Sequence, residues 1–343
     1  MHFDVMTRAD TWENVAKLAR DAEAAGMSGM LFTEGAQVPW MQIATAANVA
    51  PTLHFCTGIA VAFPRSPMVS AQIAWELAAN TKGRFRLGLG SQVKPHIVRR
   101  YGAAFDQPAK RMRDYVLAVK ASLAAFRGEA RLEHDGPFYK LNLLTPQWAP
   151  PRHAFEDIKI DMSAVNPLML KVAGEVADGL HVHPMHSMPY IHNRVVPALT
   201  EGAALSGRAL SEIDLFVPVL AVPGDTPEER ESLAREAKTA IGFYGATPGY
   251  AFQFDDLGYE GKRLELAETL RAKGAGAVAD LVDDELMGHF ALVARWDDMA
   301  DRLIERYKGI ASRVVMYLAK QSIQENPKNL AKWGEIALAV RAA

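Results

Sequence analysis

The chain of 343 residues is poor in cysteine: Cys56 stands alone, so no disulfide can close within it. It lies in the apolar run 53–61, where a thiol is expected to behave as a small buried hydrophobe. Net charge is almost absent, since 38 basic residues meet 40 acidic ones for a balance of −2. Nothing electrostatic therefore draws the chain to nucleic acid or to an anionic membrane. The pair Arg99 and Arg100 and the trio Lys110, Arg111 and Arg113 read as solvated helix faces. Long apolar windows of about 18 residues are missing, and the opening MHFDVMTRADTWENV has no basic stretch followed by an apolar one. A soluble, cytoplasmic protein is the expectation. Nucleophile elbow, phosphate-binding P-loop and zinc spacings are missing as well.

What is present is alternation. Apolar runs at 2–6, 29–33, 53–61, 84–88, 158–162, 179–182, 215–222 and 313–318 are separated by stretches of helical period. Asp10 is expected to cap the first helix, with Glu13 completing a capping box and Val15, Leu18, Ala19 and Ala22 on one face. Further helices are expected near 40–49, 68–79, 109–126, 167–176, 189–205, 226–242, 297–307 and 326–340. Strands alternating with helices imply a parallel sheet, and eight such units in one unbroken series favour an α/β fold closed as a (β/α)8 TIM barrel of one domain. Two stretches interrupt the rhythm, 128–157 after strand 4 and 245–288 after strand 7. Both read as insertions, and insertions of this length often build binding loops.

In such a barrel the chemistry sits at the C-terminal ends of the strands. After strand 5 comes Ser163-Ala164-Val165-Asn166-Pro167. Asn166 suits an N-cap and Pro167 the first helical position. The exposed N–H groups there favour a phosphate, or the segment is simply a well-capped helix. Gly88-Leu89-Gly90-Ser91-Gln92 is small enough for close approach of a flat ligand, or is a tight barrel turn; Val93 stands where a dinucleotide fingerprint needs its third glycine. His181, His183 and His186 follow strand 6. Strand alternation places the first two on one face, and they read as polar lining of the pocket mouth rather than as metal ligands.

The segments GIAVAFPRSPMVSAQIAWELAANTKGRFRLGLGSQVKPHIVRRYG (58–102) and AVNPLMLKVAGEVADGLHVHP (164–184), with VPVLAV at 217–222, IGFYGATPGY at 241–250 and RVVMYL near the end, resemble the luciferase-like monooxygenase superfamily. They look most like its deazaflavin branch, the oxidoreductases that use coenzyme F-420. The resemblance implies a cis peptide joining Gly58 and Ile59 behind the cofactor ring, beside Ala60. It implies Ser91, Gln92 and Val93 at the ring edge, Ala164, Val165 and Asn166 around the phosphate, and Gly179 to His183 at the same end. It also implies hydride transfer between reduced F-420 and a small unsaturated substrate, in a homodimer. An FMN-dependent monooxygenase and a non-catalytic cofactor-binding relative are the alternatives. One position departs from the pattern: Glu34 matches an acidic residue, but Gly35 occupies the place of a histidine that serves many relatives in proton transfer. Glu34, Gln92 and His96 are the candidates for the catalytic role by location.

Overall fold

Parallel pairing of the last strand with the first closes this chain on itself. The computed structural model describes residues 1–8 and 10–343. Its principal strands are β1 (His2–Thr7), β2 (Gly29–Phe32), β3 (His54–Thr57), β4 (Phe85–Gly90), β5 (Ile160–Ser163), β6 (Gly179–His181), β7 (Asp214–Pro223) and β8 (Arg313–Met316). Each pairs in parallel with the next, and β8 returns to β1 through His2–Arg313 and Val5–Met316, closing the barrel. Outward residues such as Phe3, Val5, Phe32, Phe55, Leu87, Ile160 and Val217 pack against the helices in one large core. Met6, Leu31, Cys56, Phe216 and Val315 form a separate small cluster inside the barrel.

The interior beneath that cluster is charged. Arg86 on β4 forks onto Asp161 on β5 at 2.9 and 2.6 Å, and reaches Asp214 on β7 at 2.7 Å. Asp4 on β1 faces Arg313 on β8 at 3.4 Å. Burial pushes the Asp161 carboxyl up, but the Arg86 hydrogen bonds and charge outweigh it and hold the group at about 2. His181 stacks on Phe216 with centroids 4.4 Å apart and brings Nε2 to 3.6 Å from the Cys56 sulfur. Cys56 is thus buried as expected but in polar company, and burial pushes its thiol well up.

Several expectations are corrected. The first helix (Trp12–Ala24) is capped by Thr11, whose side chain accepts from the Asn14 N–H. Asp10 instead accepts from Thr11 N–H and the Asn14 amide, one step outside the helix. The run 53–61 is two strands: after β3 the chain breaks at a cis peptide joining Gly58 and Ile59 and resumes as Ala60–Val61 against β4. The insertion 128–157 carries the hairpin His134–Asp135 with Lys140–Leu141 and one 3-10 turn, Pro146–Trp148. The hairpin's turn is fastened by buried Asp114, which accepts from the N–H groups of Phe138 and Tyr139. The insertion 245–288 is largely helical, with Lys262–Lys273 its longest piece. An additional strand, Ala291–Ala294, extends the far end of β7. Arg111 is not solvated; its guanidinium lies 4.5 Å from the Phe138 ring centroid and pairs with Asp106.

The Arg86–Asp161 pair generates a prediction. Asp161→Asn leaves the largely buried Arg86 guanidinium without its fully buried charged partner and should lower unfolding stability by about 3 kcal/mol in urea titration at neutral pH. The depressed pKa gives the wild type about 2 kcal/mol of stability, present above about pH 4 and lost as pH falls toward about 2; the variant should lack that acid-dependent step.

Candidate active site

A cavity of about 270 Å³ opens at the C-terminal ends of the strands, just below the usual range for ligand pockets. Met6, Leu31, Val315 and the ring of His181 line its inner part. Thr33 and Glu34 follow β2, Gly58 and Ile59 follow β3, Gln92 and Val93 follow β4, and Ser163 ends β5. Val182, His183 and Pro184 follow β6, and Pro218, Tyr244, Tyr250 and Tyr317 complete the wall. A larger open groove of about 1000 Å³ lies elsewhere, lined by arginines and carboxylates of the 227–245 helix and of residues 279–306, away from the strand ends that gather these groups.

Backbone proximity shapes the mouth. A Cβ on Gly88 would sit 1.9 Å from the Thr57 carbonyl, because the Thr57 hydroxyl bridges to Gly88 O and Gly88 N at 2.7 and 2.9 Å. A Cβ on Gly58 would sit 2.1 Å from the Leu31 side chain. The Thr33 hydroxyl donates to the Gly58 carbonyl at 2.8 Å. Gln92 adopts φ +56°, a left-handed conformation uncommon for a side-chain-bearing residue, and its Oε1 accepts from the Val93 N–H at 2.9 Å.

The candidates from sequence separate by place. Glu34 lines the pocket, but both its oxygens are engaged: Arg65 donates to them at 2.8 and 2.6 Å and Val61 N–H donates at 2.8 Å. It buckles the loop after β2 to the loop after β3. Gln92, Val93, Gly58, Ile59 and His183 also line the cavity. His96 is exposed, opens the short helix His96–Arg100 and is not part of the wall. Ala60 and Ser91 stand beside the wall without joining it. Ala164, Val165 and Asn166 follow Ser163 at the rim. Asn166 is the N-cap of Pro167–Val176, yet its side chain makes no capping bond. Gly179 corrects its expectation: it begins β6 at the opposite end of the barrel, where its missing Cβ leaves room for the Asp161 carboxylate.

The three histidines after strand 6 do not converge. His186 sits between the His183 carbonyl and the Tyr307 hydroxyl, at 3.0 and 3.2 Å. His181 instead joins Cys56 and Asp161, with ligand atoms within 4.8 Å of one another, but both Asp161 oxygens are spent on Arg86. Sequence reading missed the tyrosines. The Tyr244 and Tyr317 hydroxyls meet at 2.8 Å, and the guanidinium of Arg8 lies 5.1 Å from the Tyr317 ring centroid. Tyr317 continues the inward series Arg313, Val315, which period two could have revealed. Tyr250 is the single wall residue from the insertion 245–288, and none comes from 128–157. That first insertion is held against the barrel's side, where the Trp75 indole donates to the Pro151 carbonyl at 3.0 Å.

A family model for luciferase-like monooxygenase matches residues 1–313. The chain belongs to the luciferase-like monooxygenase family. It is 35% identical over 305 residues to an uncharacterized protein of Mycobacterium tuberculosis (strain ATCC 25618 / H37Rv), covering 87% of this chain and 90% of that one. It is 27% identical over 294 residues to the 5,10-methylenetetrahydromethanopterin reductase of Methanopyrus kandleri, covering 79% of this chain and 78% of that one. Among solved structures, the coenzyme F-420-dependent tetrahydromethanopterin reductase from Methanopyrus kandleri superposes with a TM-score of 0.80 at 21% identity, over 98% of both chains. The barrel is that of an enzyme family, and no described helix is long and apolar enough to cross a membrane.

Position 35 yields a prediction. A Cβ there would meet nothing within 4 Å, so Gly35→His should fold with its stability changed by no more than about 0.5 kcal/mol. Urea denaturation monitored by tryptophan fluorescence checks this.

Proposed function

We propose that this family member holds coenzyme F-420 in the barrel mouth and catalyses hydride transfer to a small unsaturated substrate. The observation that carries the reading is the pairing of a partly apolar slot with an uncapped helix N-terminus at one rim. The slot is walled by Ile59, Val93, Val182 and Tyr250 above Met6, Leu31 and Val315. At the rim, the helix Pro167–Val176 begins with an Asn166 side chain that makes no cap bond. Two of the helix's first N–H groups, those of Met169 and Leu170, turn back to the Asn166 carbonyl, and Pro167 has none. The Leu168 N–H and the Asn166 amide remain to meet a phosphate at the positive end of the helix. The residues therefore fit an elongated ligand with a flat ring and a phosphate. The similarity to an F-420-dependent reductase supports the same choice.

When bound, a reduced deazaflavin supplies a hydride and reacts poorly with oxygen. The chain's own work is positional. Gly58, Ile59, Gln92 and Val93 would border the ring; Ala164, Val165 and Asn166 would hold the phosphate end. Glu34 and Arg65 fix two of the bordering loops, and the tyrosine wall excludes water from the reacting face.

Asn166→Asp separates folding from phosphate recognition. A carboxylate at an N-cap favours the helix, so stability should hold or rise slightly. Repulsion of the phosphate should weaken F-420 binding by about tenfold or more, which corresponds to about 1.4 kcal/mol. Binding of the phosphate-free deazaflavin nucleoside should not change. Fluorescence titration of both ligands tests this, and equal weakening of both would place the phosphate elsewhere.

A further inference from the structure

His183 stands on the pocket wall between two tyrosines, 4.3 Å from the Tyr250 ring and 4.7 Å from the Tyr244 ring, centroid to centroid. Its Nδ1 accepts the Met185 N–H at 3.1 Å. A ring nitrogen that accepts carries no proton, so a neutral imidazole held this way must carry its proton on Nε2. Burial pushes the ring down to about 4, which keeps it neutral at pH 7. Nε2 has no hydrogen-bond partner among the described residues, and it is not among the nitrogens sealed from solvent.

The orientation is buttressed from behind. Gln253, fully buried, donates its Nε2–H to the Met185 carbonyl at 2.9 Å, so the residue whose N–H fixes the imidazole is itself fixed. The His183 carbonyl pairs with His186 Nδ1 at 3.0 Å. Turning the ring over would place a carbon against the Met185 N–H and forfeit that bond. The pocket therefore presents a preset N–H donor that no described residue uses.

We propose that His183, in its Nε2–H tautomer, is the hydrogen-bond donor to the substrate oxygen that gains charge during hydride transfer, and that the substrate is accordingly a carbonyl compound or enone. The inference rests on the oxidoreductase reading above. A hydride, drawn from the reduced deazaflavin, forms the new C–H bond. The π pair of the C=O, or of the conjugated enone, moves to oxygen, and Nε2–H meets the oxyanion as it forms. Water then supplies the proton, and the imidazole neither gains nor loses one overall. A neutral donor placed at a developing oxyanion is worth about 100-fold or more in rate. It offers no such advantage to an iminium substrate, whose positive charge disappears as the hydride arrives.

The test uses ¹⁵N-histidine-labelled protein and 4-nitrophenolate as a small oxyanion probe, with and without F-420. At pH 7, His183 should show the Nε2–H tautomer, and the probe should move that proton downfield. His183→Phe should weaken the probe about tenfold or more, whereas His183→Gln, which keeps an N–H donor, should weaken it less than about threefold. A cationic or Nδ1–H ring, or equal probe binding by His183→Phe, overturns the proposal. If the wild type does not bind F-420, the cofactor reading falls, while the tautomer and the probe in the cofactor-free protein still decide the role of His183.

Discussion

The buried fork of Arg86 on Asp161 is the constraint on which the rest of the structure depends. The interior of an eight-stranded barrel is filled by layers of side chains, and this one places charges in its lower layer. Two charges removed from water are costly unless geometry and hydrogen bonds repay the loss. The guanidinium meets that condition by reaching three strands: it spans β4, bonds both oxygens of Asp161 on β5 and touches Asp214 on β7. The missing side chain of Gly179 leaves the space the carboxylate occupies. Above the fork, His181 lies flat on Phe216 beside Cys56 and forms part of the pocket's inner surface.

From that floor upward the site is assembled by loops fixed to one another rather than by one rigid element. Glu34 and Arg65 tie the segments after β2 and β3, and the Thr33 hydroxyl adds a bond to Gly58. On the other side, Gln253 fixes the Met185 peptide, which fixes His183. Tyr244 and Tyr317 close the wall through their hydroxyls. The arrangement offers apolar faces, few polar edges, and backbone close to the cavity where side chains would collide.

Much of the fold was legible because period two and period 3.6 alternate along the chain outside the two insertions, and eight repeats of strand and helix have few ways to pack. The family's motifs were legible where glycine and proline punctuate the strand ends, as at Gly88, Gly90, Asn166 and Pro167. The burial of Glu34 against Arg65 was not, since a carboxylate in a loop looks the same in sequence whether it is free or paired. His183 and the tyrosines belong to elements far apart in the chain, and only closure of the barrel brings them together. Gly179 was misplaced for a related reason: a glycine beside a strand says that space is needed there, not at which end of the barrel. The segment 128–157 looked like a binding loop on composition, yet Asp114 and Trp75 hold it against the outside.

A deazaflavin is the proposed ligand of the barrel mouth. The most direct measurement is a competition titration of F-420 against FMN on the purified chain, followed by ligand fluorescence. One F-420 should bind per chain, at least about tenfold more tightly than FMN. Preferential binding of FMN, with F-420 unable to displace it, would contradict it.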